Sequence, residues 1–281
     1  MIRPLTSADM ADALELLRAR PLQNLFLEYV VASGVLGRVP GFVGWSPARR
    51  LEAIAMVGPL GGTALEVRDA NAFAPLAEAI SCAPLQPRHL VGSEDVTVPF
   101  FREYERSAAK LRWSRREAVL ALGSRDLRAP GPAGGRGRVE TARESDLAEL
   151  TANSAEQHRE DLGEDREAAD ESAFRQRHAQ DLRDGRWWVL RERGRIVFQV
   201  HVGAATPRAV QLGGVFVPAD LRGRGIAKSG VRAICAKLLE RHELVTLYCD
   251  EDNAAALRVY EQVGFRVEFF NRSYLFEPLR P

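Results

Sequence analysis

Val215-Phe216-Val217-Pro218-Ala219-Asp220-Leu221-Arg222-Gly223-Arg224-Gly225-Ile226-Ala227 decides how this chain is read. It passes from an apolar strand-like run (Ala209 to Val217), through a polar loop, into a helix from about Gly225 to Arg241. The helix is read from Ala227, Val231, Ile234, Cys235 and Leu238, which recur on one face. The first N–H groups of a helix have no acceptor within it, so a helix opening directly behind a strand offers a site for a pyrophosphate. Gly223 and Gly225 let the backbone curl around such a group without a Cβ in the way. The three-glycine dinucleotide fingerprint and a Gly-Lys-Ser/Thr are both absent, so neither a nicotinamide enzyme nor an NTPase is indicated.

Outward from the loop, the pattern is strand-rich upstream and alternating downstream. Trp187 to Arg191 and Ile196 to Val202 read as a hairpin about Glu192-Arg193-Gly194-Arg195. Downstream come a strand (Leu244 to Cys249), a helix (Asn253 to Val263) stopped by Gly264, and two closing strands, Phe265 to Phe270 and Arg272 to Phe276. A meander that leads into a strand-helix-strand crossover requires a parallel pair within an otherwise antiparallel sheet, which is an α/β fold of the α+β mixed-sheet type. Asn253, Ala256 and Tyr260 lie at i, i+3 and i+7, on one helix face.

On Arg222-Gly223-Arg224-Gly225-Ile226-Ala227, and on Asn253, Tyr260 and Gly264-Phe265 after it, the chain resembles the GNAT acetyltransferase superfamily. It is most similar to a bacterial subgroup with a domain of unknown function ahead of the GNAT domain. The resemblance implies tandem GNAT-like folds with a degenerate N-terminal copy, and an acyl-CoA-dependent N-acetyltransferase with acetyl-CoA as donor. It places the donor's pyrophosphate on Arg222, Gly223, Arg224, Gly225, Ile226 and Ala227. The pantetheine falls to the strand Val215, Phe216 and Val217, with Val215 and Val217 as backbone contacts, and to Asn253. Tyr260 would reach the thioester sulfur as the acid for the leaving thiolate.

Ala129-Pro130-Gly131-Pro132-Ala133-Gly134-Gly135-Arg136-Gly137 has nothing large and apolar to pack and reads as a linker. It leaves a degenerate GNAT-like domain at 1–128 and a catalytic one at 138–281. Each opens alike: a short extended piece (Ile2 to Leu5; Arg138 to Thr141), then a helix (Ser7 to Arg20; Ser145 to Gln157), with Ser7 as the cap of the first. In the first half the glycine-rich stretch Gly58-Pro59-Leu60-Gly61-Gly62 runs into a strand, with no following helix to hold a pyrophosphate.

A base for the acceptor amine is harder to find, because Gln211 to Val217 carries no carboxylate. His201, in the alternating strand Val197 to His201, has a suitable ordinary pKa; a hydrogen-bonded strand histidine is the competing reading. Glu156, His158 and Asp161 are further candidates, against a reading as solvated surface groups. Cys249 has no His or Lys neighbour in sequence and reads as an inert strand cysteine.

The 281 residues carry 39 Lys+Arg against 38 Asp+Glu, a net +1 that argues against a nucleic-acid partner and against a tRNA-dependent aminoacyl transferase. No apolar run approaches the roughly 18 residues of a membrane span. Three cysteines, far apart and without metal-ligand spacing, fit a reduced, cytoplasmic protein that needs no metal. A catalytically silent acyl-CoA-binding regulatory module is the alternative function. The acceptor (a small-molecule amine, a peptide N-terminus or a lysine) and the oligomeric state stay open.

Overall fold

A computed structural model describes residues 1–105, 110–129, 138–163 and 171–277. Residues 130–137 of the expected linker lie outside the described residues. In chain order the first elements are β1 (Ile2–Pro4), α1 (Met10–Arg18), α2 (Leu25–Ala32), β2 (Phe42–Trp45), β3 (Ala53–Val57) and β4 (Gly62–Val67). Then come α3 (Phe73–Ser81), β5 (His89–Ser93), α4 (Glu94–Tyr104) and β6 (Leu111–Gly123). The second series is β7 (Glu140–Thr141), α5 (Leu147–Leu162), α6 (Glu171–Arg183), β8 (Trp187–Glu192), β9 (Arg195–Ala205) and β10 (Ala209–Phe216). It ends with α7 (Ile226–Leu238), β11 (Leu244–Asp250), α8 (Ala254–Val263) and β12 (Arg266–Phe276).

The chain forms two compact units. Unit 1 comprises Met1–Val119, Tyr248–Asn253 and Val267–Pro281; unit 2 comprises Leu120–Leu247 and Ala254–Arg266. The linear division at 129–137 is therefore not the division by packing, since the last strand belongs with the first unit. The reason is on β12. Tyr274 and Phe276 enter the unit 1 core, where the Tyr274 ring stacks on Phe101 at 4.0 Å. The strand also pairs antiparallel with β5, from Asn271 opposite Ser93 to Leu275 opposite His89. Two strands were expected here. They are one, because Asn271 keeps its place in the ladder and no turn residue interrupts it.

In unit 1, β1 to β4 are antiparallel neighbours and β4 runs parallel to β5 (Gly62 opposite His89), so α3 is the crossover. In unit 2, β7 to β10 repeat the meander and β10 runs parallel to β11 (Ala209 opposite Leu244), with α7 crossing. Both units thus share one order: strand, two helices, three-stranded meander, crossover helix, strand, helix. Even the openings match. Asp9 accepts the backbone N–H of Thr6 at 2.8 Å, and Asp146 that of Arg143 at 2.6 Å. The cap expected of Ser7 is thus supplied by an aspartate at the third position of the turn. Arg3 pairs with Asp9, and Arg191 with Asp146.

Unit 2 packs α7 onto β9 with one tight contact. A Cβ on Gly230 would stand 2.6 Å from the Phe198 ring, which is fully buried. A helix-interior glycine costs about 1 kcal/mol against alanine, and here it lets the helix backbone lie on an aromatic face. No helix of the described residues is long and apolar enough to cross a membrane.

Candidate functional site

The site in unit 2 starts at β10. Gly213 faces His201 of β9, yet Phe216 faces Gln199, so three steps on β10 match two on β9. The extra residue is a bulge at Gly214, whose φ of +57° lies in the left-handed region. A side chain there would also press on Trp187, 3.1 Å from a built Cβ. The bulge turns Val215 out of the regular ladder, and its carbonyl oxygen accepts a long 3.4 Å bond from Gln157 Nε2.

Beyond Phe216 the loop is held by its own arginines. The Arg222 guanidinium donates to the Val217 carbonyl (3.0 Å), pairs with Glu160 of α5 (2.8 Å) and lies over the Phe216 ring. Arg224 donates to the Asp220 carbonyl at 2.9 Å, and Asp220 takes a two-pronged bond from Arg195 that draws its carboxyl below the usual range. These side chains shape the loop, so what it offers an anion is its backbone. Gly223 (φ +76°) and Gly225 (φ +75°) turn the chain into α7. Gly225 caps the helix without any side-chain acceptor, and the first turn carries no acid. The N–H groups of that turn are left to an outside acceptor, with the positive end of the helix dipole behind them.

Next to the bulge lies a stack of rings. His158 of α5 meets Phe174 edge-on, Phe174 meets His178 at 4.4 Å, and His178 stacks on Trp187 at 5.4 Å. His201 covers Trp187 at 4.9 Å. His178 Nδ1 is 2.9 Å from the Phe174 carbonyl, and burial pushes its pKa down, so the ring is neutral. Nε2 of His201 is buried and 3.5 Å from Asp181 Oδ2. Asp181 is held below the usual carboxylate range: burial opposes this, but His201 and Arg186 outweigh it. Beneath the stack, the fully buried Gln199 accepts from Asn153 (3.0 Å) and donates to Ser154 (3.1 Å), tying α5 to β9.

A bulged strand, a glycine turn and an uncapped helix start occur in this order within the stretch 151–265, which the Acetyltransferase (GNAT) family model matches. Residues 151–265 are a GNAT acetyltransferase domain. Solved structures agree on the fold of the whole chain. A GCN5-related N-acetyltransferase from Sphaerobacter thermophilus is 18% identical, with 100% of this chain and 96% of that one covered and a TM-score of 0.64. A tandem GNAT protein from the clavulanic acid biosynthesis pathway is 14% identical, with coverage of 100% and 99% and a TM-score of 0.60. A Drosophila protein is 12% identical over 98% of each chain, with a TM-score of 0.70. No curated protein matches the sequence.

Within the GNAT domain, Val215, Phe216, Val217 and Arg222 to Ala227 form the continuous strand-loop-helix just described. Tyr260 is buried on α8, against Phe265 at 5.8 Å. Asn253, assigned to unit 1, is the exposed residue directly before α8. Of the other candidates, Glu156 is half-buried, Asp161 is exposed and Cys249 is buried. His178, Asp181 and Gln199 were missed. A buried glutamine in the otherwise apolar run Val197-Phe198-Gln199-Val200 was the one signal available for them. No group of three or more His, Cys, Asp or Glu side chains among the described residues could hold a metal ion. Two open hollows, of about 320 and 720 Å³, are lined by residues such as Arg68 and Phe270, and neither includes a residue of 215–227.

The reading of the first half needs one correction. A helix does follow its middle strand: α3, after β4, in the position that α7 holds after β10. The short 3-10 turn Ala70–Ala72 that leads into α3 is capped by Asp69, whose Oδ1 accepts the Asn71 N–H at 3.0 Å, while α3 itself starts without a side-chain cap. Pro75, in the first turn, has no N–H to offer.

Proposed function

We propose that the chain is an N-acetyltransferase that moves an acetyl group from acetyl-CoA to an amine by direct attack in a ternary complex. The observation that carries this reading is the uncapped start of α7 behind the bulged strand β10. The donor's pyrophosphate would take the free N–H groups about Gly223 to Ala227, and its pantetheine arm would run along Val215 to Val217 and Asn253. The amine nitrogen attacks the thioester carbonyl carbon, the C–S bond breaks, and the thiolate takes a proton from Tyr260, whose ordinary pKa near 10 suits a thiol leaving group. His201 takes the proton lost by the amine. The acceptor class is a primary amine, and three free cysteines fit a reducing compartment such as the cytoplasm. A catalytically silent role has no observation in its favour.

The test is calorimetry with acetyl-CoA, together with thiol release over a panel of small amines and peptides. One donor bound per chain and turnover on at least one amine are expected. Absence of donor binding overturns the reading.

A further inference from the structure

We infer that Asp181 is a positioning residue that fixes the His201 proton on Nε2, so that Nδ1 is the atom that accepts a proton from the acceptor amine. The inference rests on the acetyl-transfer reading above and deepens it. The geometry gives the two ring nitrogens different surroundings. Nε2 is buried without a hydrogen-bond partner among the described residues, and Asp181 Oδ2 stands 3.5 Å from it. That separation is longer than a formed bond, as catalytic contacts often are before substrate arrives, and it closes as the ring gains charge. The side chain as a whole is 22% exposed, so its solvent contact lies away from Nε2.

Three glycines border it there. A Cβ at Gly203 would stand 3.9 Å from Nδ1, and one at Gly214 would stand 3.5 Å from the His201 Cβ. Gly213 is the ladder partner of His201. A side chain at Gly203 or Gly214 would crowd the ring; glycines leave a bare strip of strand beside the bulge. Trp187, itself stacked on His178, packs on the imidazole in a tilted contact at 4.9 Å. Among the described residues, the ionisable groups facing the ring are Asp181 and His178 on α6 and Arg186 before β8; β10 brings Gly213 and Gly214 at this level. Of these, Asp181 alone carries a negative charge, and its carboxylate stays ionised while the ring takes a proton at Nδ1 and later releases it to water.

The test combines nitrogen-15 NMR of the histidine side chains with pH–rate profiles, on wild type, Asp181→Asn and Asp181→Glu; His201→Gln assigns the resonance. Expected are a single Nε2–H tautomer in wild type and a mixture in Asp181→Asn. The acid limb of the kcat–pH profile should differ between wild type and Asp181→Asn. That variant should lose about tenfold in kcat at neutral pH with the KM for acetyl-CoA unchanged. Asp181→Glu should restore the wild-type limb. An Nδ1–H tautomer in wild type overturns the inference without any variant, as does an Asp181→Asn protein whose tautomer and profile are unchanged. If Asp181→Asn does not fold, the wild-type tautomer and the Asp181→Glu profile decide. Failure of the acetyl-transfer reading would be seen separately, as absent donor binding, while the tautomer would still be read.

Discussion

The loop between β4 and α3 and the loop between β10 and α7 occupy the same place in two copies of one element order, and they lead into the helix differently. In unit 1 a 3-10 turn, Ala70–Ala72, runs directly into α3, and Asp69 caps that turn through the Asn71 N–H. In unit 2 a glycine stands there, with no side-chain acceptor and no acid in the turn. The following helices differ in the same sense. Counted from the helix starts, Ser93 of unit 1 stands where unit 2 has Asn253, and Phe100 stands where it has Tyr260. Phe100 is wholly buried and keeps the ring's packing without the hydroxyl. One copy has thus kept what folding requires of these positions, an apolar ring and a satisfied helix end. The other keeps the groups that a donor substrate would use.

The largest test is to make unit 2 resemble unit 1 at the acid. Tyr260→Phe should lower kcat by about 10²–10⁴-fold while acetyl-CoA affinity holds, because a general acid acts in the transition state. Single-turnover measurements will show whether chemistry limits the rate, and an unchanged chemical step would make Tyr260 a packing residue like Phe100. Gly225→Val strikes the loop itself. The backbone at φ +75° resists a branched side chain by about 1–2 kcal/mol, although the space around it is empty. Donor affinity should fall at least tenfold by calorimetry in a protein that still folds.

A stability effect comes next. Gly230 is the fifth residue of α7, and Ala77 is the fifth of α3. Gly230→Ala should destabilise unit 2 by about 1–3 kcal/mol, since the methyl meets Phe198 with no room to spare. Thermal unfolding reads this. The smallest effect is expected in unit 1. Asp69→Ala should cost about 1 kcal/mol through the lost cap and leave the stoichiometry at one acetyl-CoA per chain. A second donor bound to that variant would show that the carboxylate alone closes the first copy.

Local pattern determined a good deal of this protein. The spacing Gly223-x-Gly225 behind an apolar strand fixes the turn into α7, because only glycine enters left-handed backbone there without strain. Periodicity likewise placed α7, α8 and the hairpin of β8 and β9 to within a few residues, since these depend on neighbours in the chain. The tertiary structure alone decided which unit owns β12. An alternating strand carries no mark of its partner, and here the partner was β5, at 178 residues' separation between Asn271 and Ser93. It alone brought Asp181 of α6 beside His201 of β9, because a charged residue on a polar helix reads as a solvated one until packing turns it inward. It also revealed Asp69 as the cap of the turn that leads into α3. Capping depends on where a helix begins in space, and the glycines of Gly58 to Gly62 drew the reading to the strand before it.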